Sequence, residues 1–125
     1  MMGSVHRSGG RIACGSDWFV SSLNPLDAIE VGIRRQDPHL PEGSPQLNPQ
    51  ETVDLATMIA GYTINGAYLM HQDDIVGSIE TGKRADLIVL DRNLFDIPPA
   101  EINQAKVLLT LFDGRVVYDE GVCSA

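Results

Sequence analysis

A chain of 125 residues is long enough for one domain that buries roughly two thirds of its unfolded surface. With 43% hydrophobic and 21% charged residues it has the balance of a globular domain, which excludes the disordered class. Seventeen acidic against nine basic side chains leave a net charge of -8, so nucleic acid and anionic lipid are poor partners, and no apolar run approaches the ~20 residues of a spanning helix.

The lead Met1 to Ser8 is polar and lacks the apolar stretch of a secretory signal, so a cytoplasmic location is expected. Cys14 and Cys123 are far apart in sequence and are expected as free thiols. Arg11 to Cys14 predicts a short strand, Gly15 a sharp turn, and Asp17 follows at once. Asn24-Pro25-Leu26-Asp27 supplies an N-cap, a proline at the first helical position and a first-turn acid. A helix is therefore predicted from Leu26 to Arg35, with Leu26, Ile29 and Ile33 on its apolar face.

Four prolines between Asp37 and Pro49 predict a surface loop. The start signal repeats at Asn48-Pro49-Gln50-Glu51, predicting a second helix from Pro49 to Ala60 and, beyond Gly61 and Thr63, a short third one from Ile64 to Met70. The second half changes character. Gly77 to Lys83 is turn-forming at both ends, and Leu87 to Leu90 is a continuous apolar run, the pattern of a strand covered on both faces. After Pro98-Pro99 and a helical turn around Ala100 to Asn103, Val107–Phe112 and Arg115–Tyr118 flank Asp113-Gly114, a two-residue hairpin signal. The fold class expected is α+β, helix-rich first and strand-rich second.

Chemistry-bearing residues are few. Asp17 fits a turn former or cap; it also fits a carboxylate delivered at the end of a barrel strand, able to bind a divalent metal or accept a proton. His6, His39 and His71 are isolated, with no His-x-His or Glu-x-x-His spacing, and Asp73-Asp74 lack the spaced acceptors of a calcium loop. Gly15-Ser16-Asp17 is not a nucleophile elbow, and the flanks of Cys14 argue for burial rather than activation. Gly77 to Lys83 lacks the spacing of a phosphate loop and is expected to be a structural turn.

The blocks GGRIACGSDW, NPLDAIEVGIRR, ETVDLATMIAGYTINGAYLM, VGSIETGKRADLIVLDRNLFDIPPAEI and VLLTLFDGRVVYDEG, taken in order, resemble the C-terminal part of the amidohydrolase superfamily. The best likeness is to amidohydrolase family 3, the YtcJ-like metal-dependent hydrolases, over Gly9 to Gly121. The resemblance implies hydrolysis of non-peptide carbon-nitrogen bonds with a divalent, zinc-like metal, on a TIM-like barrel with a small β-sandwich beside it.

It implies that residues 9–70 derive from the last strand-helix unit of the barrel and residues 75–121 from the C-terminal half of the sandwich, the whole chain 1–125 forming one fragment domain. It further implies that Asp17 is a catalytic, metal-facing carboxylate. Phe19 departs from the pattern, which commonly has Pro after Trp, and the His-x-His strand and remaining ligands have no counterpart here. The expectations are therefore a fragment such as a truncated gene product or mobile cassette, inactive alone and not binding metal by itself. The alternatives are a stand-alone module that forms homo-oligomers through uncovered apolar faces, or a subunit completed by a separate barrel chain.

Overall fold

The computed structural model describes residues 1–41 and 43–123. Four α-helices, α1 (Met2–Arg7), α2 (Pro25–Arg34), α3 (Leu55–Tyr62) and α4 (Ile64–Leu69), precede three strands, β1 (Leu87–Leu90), β2 (Val107–Phe112) and β3 (Arg115–Asp119). Two 3₁₀ segments, Pro49–Glu51 and Pro99–Gln104, complete the set among the described residues. The result is a mixed fold of helices and one antiparallel sheet in the order β1-β2-β3.

Helix α2 starts where its signals place it. The Asn24 side chain accepts from the Leu26 amide at 3.1 Å, Pro25 needs no partner for its nitrogen, and Asp27 sits in the first turn. Its last turn closes on Arg35, whose φ of 54° reverses the chain toward the proline-rich loop. That loop is tied back to the helix end by the Leu47 amide donating to Arg35 O at 2.8 Å and Gln46 Nε2 donating to Arg34 O at 3.0 Å.

The expected helix from Pro49 to Ala60 is two pieces. Asn48 adopts a left-handed φ of 51° and its side chain caps nothing, so the proline start yields only one 3₁₀ turn. The working cap is Asp54, whose carboxylate accepts from the Thr57 amide at 2.7 Å and opens α3. The polar lead, for which no element is predicted above, forms α1. Glu51, buried in the 3₁₀ turn, accepts from the Ser4 amide at 2.8 Å and from Ser4 Oγ at 2.5 Å, and these bonds lower its pKa.

Arg11 to Cys14 belongs to neither helix nor ladder, which corrects the strand expected there. No strand among the described residues pairs with it; instead the Cys14 amide donates to Gly61 O at 2.9 Å and Asn65 Nδ2 to Ile12 O at 2.9 Å. The segment is thus stitched to α3 and α4. Gly61 is required at this contact, since a Cβ there would come within 2.7 Å of Cys14 Sγ.

In the second half the hairpin forms as expected, with Asp113 at φ 50° and Gly114 at φ 75°, the paired positive values of a type I′ turn. Asp86 holds its tip by accepting from the Asp113 amide at 2.7 Å. The Gly77 to Lys83 turn is structural: Lys83 Nζ donates to Asp73 O and Ser78 Oγ, and Arg84 N to Ile75 O. Strand β1, however, is not covered on both faces, because Ile88 and Val89 are exposed.

The core joins the two halves. Leu26 and Ile29 of α2, Val53, and Met58 of α3 pack with Leu94, Ile102 and Ala105 around the second 3₁₀ segment. Glu30, fully buried, reinforces this junction: it pairs with Arg34 one turn on and accepts from the Asn103 amide at 3.0 Å.

Candidate functional site

Asp17 opens a tight turn at the end of the Arg11 to Cys14 segment. Its φ is 49°, its carbonyl accepts from the Val20 amide at 2.7 Å, and Ser21 Oγ donates to Ser16 O at 2.6 Å. The Trp18–Phe19 peptide is cis. Asp17 is exposed, as are Trp18, Phe19 and Val20 beside it. The turn therefore displays a carboxylate on an apolar tip, held from below by the hydrogen bonds of Cys14 and Ile12 to α3 and α4.

Next to this segment lies a mostly apolar cleft of about 580 Å³, between Ile12–Gly15, α2 and the loop at Asp37 to His39. Its polar groups come from positions that carry no sequence signal for a site. Asp27 reads as a helix-start acid and His39 as a loop residue, yet His39 Nε2 lies 3.6 Å from Asp27 Oδ2. Cys14 and Tyr62 line the floor, and burial pushes both their pKa values up. Burial thus works against activation of either group. Asp17 does not line the cleft.

The three histidines sit on different elements: His6 is on α1, His39 is in the loop against Asp27, and His71 follows α4 at a φ of 54°. Among the described residues, no group of three or more His, Cys, Asp or Glu side chains is placed to hold a metal ion.

The profile described as Amidohydrolase family, of the family 3 group, matches residues 2–118. The chain belongs to this amidohydrolase family. It is 34% identical over 116 residues to N-substituted formamide deformylase of Arthrobacter pascens, covering 93% of this chain and 21% of that protein. It is 30% identical over 108 residues to the putative amidohydrolase YtcJ of Bacillus subtilis, covering 86% of this chain and 20% of that one. The crystal structure of an amidohydrolase from Thermotoga maritima matches 94% of this chain and 34% of its own, at a TM-score of 0.48 and 19% identity.

The chain thus spans about a fifth of the length of the curated relatives it matches. The amidohydrolase family generally uses a divalent metal, and the donors among the described residues do not fit one, since a bound metal needs several N and O ligands around one point and no such group of three or more is assembled there.

Proposed function

We propose that this chain carries the terminal strand-turn segment and the sandwich portion of a metal-dependent amidohydrolase, with Asp17 as the site carboxylate and the other donors supplied from outside these residues. The class of reaction is hydrolysis of a non-peptide carbon-nitrogen bond, as in the substituted formamide named for the Arthrobacter relative. The observation that carries this reading is the setting of Asp17. A carboxylate on a tight, left-handed turn, exposed and on a segment hydrogen-bonded to two helices, is open to contact from beyond its own chain, and that supports the reading. By itself the chain does not catalyse, because one carboxylate can neither hold a metal nor both polarise an amide and activate water.

The test has two arms. The purified chain is assayed for bound metal by mass spectrometry and for hydrolysis of an N-substituted formamide; the expected result is neither, and stoichiometric metal with turnover would overturn the proposal. In the second arm this chain replaces the matching fifth of the Arthrobacter enzyme. The chimera is expected to turn over, and Asp17→Asn in it to lower kcat by about 10²–10⁴, the range for loss of a positioned proton-transfer group. A chimera indifferent to that substitution would remove Asp17 from the site.

A further inference from the structure

The Asp17 turn holds its shape by its own bonds and its place by bonds from elsewhere. Within it the Val20 amide donates to Asp17 O and Ser21 Oγ to Ser16 O, at 2.7 and 2.6 Å. Downstream, Ser21 to Asn24 are all exposed before α2 begins, and the Asn24 amide makes only a local bond, to Ser22 Oγ at 3.1 Å. Upstream, two bonds tie the approach to the turn to distant residues, from the Cys14 amide to Gly61 O and from Asn65 Nδ2 to Ile12 O, both at 2.9 Å. The second closes across 53 residues of chain.

Both partners belong to the break between α3 and α4. Thr63, at φ -128° and ψ -101°, ends one helix and precedes the next, so the last carbonyls of α3 need partners from outside the helix. Thr63 Oγ1 donates to Ile59 O at 2.7 Å and the Thr63 amide to Ala60 O at 3.2 Å. Gly61 O, next in line, takes the Cys14 amide. The missing side chain at Gly61 lets the segment lie directly on the break, since an added Cβ would also come within 3.3 Å of Ile12 O.

Asn65 supplies the second tie. Asparagine is a middling helix former because its amide competes for nearby backbone groups, and it ordinarily serves caps and turns. Asn65, half-buried in the first turn of α4, instead sends its Nδ2 to a carbonyl of another segment. The Cys14–Gly61 bond joins backbone to backbone and needs no particular side chain at position 14, whereas the bond to Ile12 O needs this one. One bond would leave the segment a pivot. Two, at Ile12 and Cys14, fix its orientation, and with it the side on which Asp17 emerges just beyond.

We propose that Asn65 is a positioning residue for the Asp17 carboxylate: its side-chain amide fixes the orientation of the Arg11 to Cys14 segment and so the place where Asp17 is presented. This inference rests on the reading of Asp17 as the site carboxylate. Asn65 acts through Asp17 and on no substrate of its own, and a displacement of about 1 Å in a reacting group can cost about 10² in rate.

Trp18, beside Asp17, is the one tryptophan of the chain and is exposed, so its fluorescence reports the turn directly. Asn65→Asp keeps the size of the side chain, replaces the donor by an acceptor, and puts a carboxylate in the first turn of α4, where it suits the helix. In the full chain, well below Tm, it is expected to raise the amplitude of the nanosecond motion of Trp18 about twofold by time-resolved anisotropy. Asn65→Leu removes the donor without adding charge and is expected to do the same. Glu30→Gln, whose partners are Arg34 and Asn103, lowers stability without touching the segment and is expected to leave Trp18 as it was. Unchanged motion in both Asn65 variants, or an equal rise in Glu30→Gln, would overturn the proposal.

The chimera with the Arthrobacter enzyme carries the second arm. There Asn65→Asp is expected to lower kcat about 10²-fold with KM nearly unchanged. Added to Asp17→Asn it is expected to do no further harm, since a residue acting through a carboxylate has nothing to act through once that group is gone. Losses that multiply would make Asn65 a general prop of the fold and overturn the positioning role. The two failures are distinguishable. A silent Asp17→Asn removes the carboxylate from the site and this inference with it, whereas a damaging Asp17→Asn beside a silent Asn65→Asp overturns the positioning role alone.

Discussion

Glu30→Ala tests the junction between the helical and strand halves. Glu30 is fully buried and has two partners, the Arg34 guanidinium and the Asn103 amide. Removing one member of a buried pair costs about 3–5 kcal/mol. Arg34 keeps 21% of its side-chain exposure and a 3.1 Å bond to Gln36, so its stranded charge is partly solvated and the lower end, about 3 kcal/mol, applies. The Asn103 amide loses its acceptor, adding about 1 kcal/mol.

The sum of about 4 kcal/mol corresponds, for a chain of this size, to a fall in Tm of about 15 °C. Glu30→Gln keeps an acceptor for Asn103 and the shape of the side chain, so it is expected to cost about half as much. Replacing Glu30 and Arg34 together by Met removes both charges and is expected to recover most of the loss. The assay is thermal melting by circular dichroism at one protein concentration, since self-association shifts Tm by mass action. A fall under about 4 °C for Glu30→Ala, or a double Met variant as damaged as the single one, would refute the account of a charge held by its partners.

Two further outcomes follow from single contacts. Asp91 has its pKa lowered to about 2, first by the bond from Arg92 and then by the Lys106 amide at 2.9 Å. A carboxylate depressed in the folded state stabilises it above the unfolded pKa near 4 and loses that effect as pH falls toward 2. The Tm is therefore expected to drop between pH 5 and 2, and the drop to shrink in Asp91→Asn; an unchanged pH profile would contradict it. Gly61→Ala drives a methyl against Cys14 Sγ and is expected to destabilise by about 1–2 kcal/mol net of the better helix propensity of Ala. Cys14→Ala in the same chain should relieve most of it in a denaturant titration, and no relief would place the clash elsewhere.

The local features of this protein were legible wherever the signal and its partner lie within a few residues. Asn24-Pro25 starts α2, Asp113-Gly114 makes the type I′ turn, and both act through bonds closed inside one turn of chain. Family membership was legible for a related reason, because the resemblance rests on runs of consecutive residues such as GSDW and GKRADLIVLD, which are read without knowledge of the fold.

What needed a distant partner was not legible. The lead becomes α1 only because Glu51 is brought to Ser4, and the helix expected from Pro49 breaks because Asn48 takes a left-handed turn and Asp54 caps in its place. The Arg11 to Cys14 run has strand composition, but a strand exists only where another lies beside it, and here its bonds go to α3 and α4. The candidate site divides the same way. The sequence by itself determined that Asp17 follows a sharp turn and that no histidine pair accompanies it. Only the tertiary structure decided that Asp17 stands exposed and belongs to no group of three or more His, Cys, Asp or Glu side chains among the described residues, since metal ligation depends on distances in space that spacing along a chain does not specify.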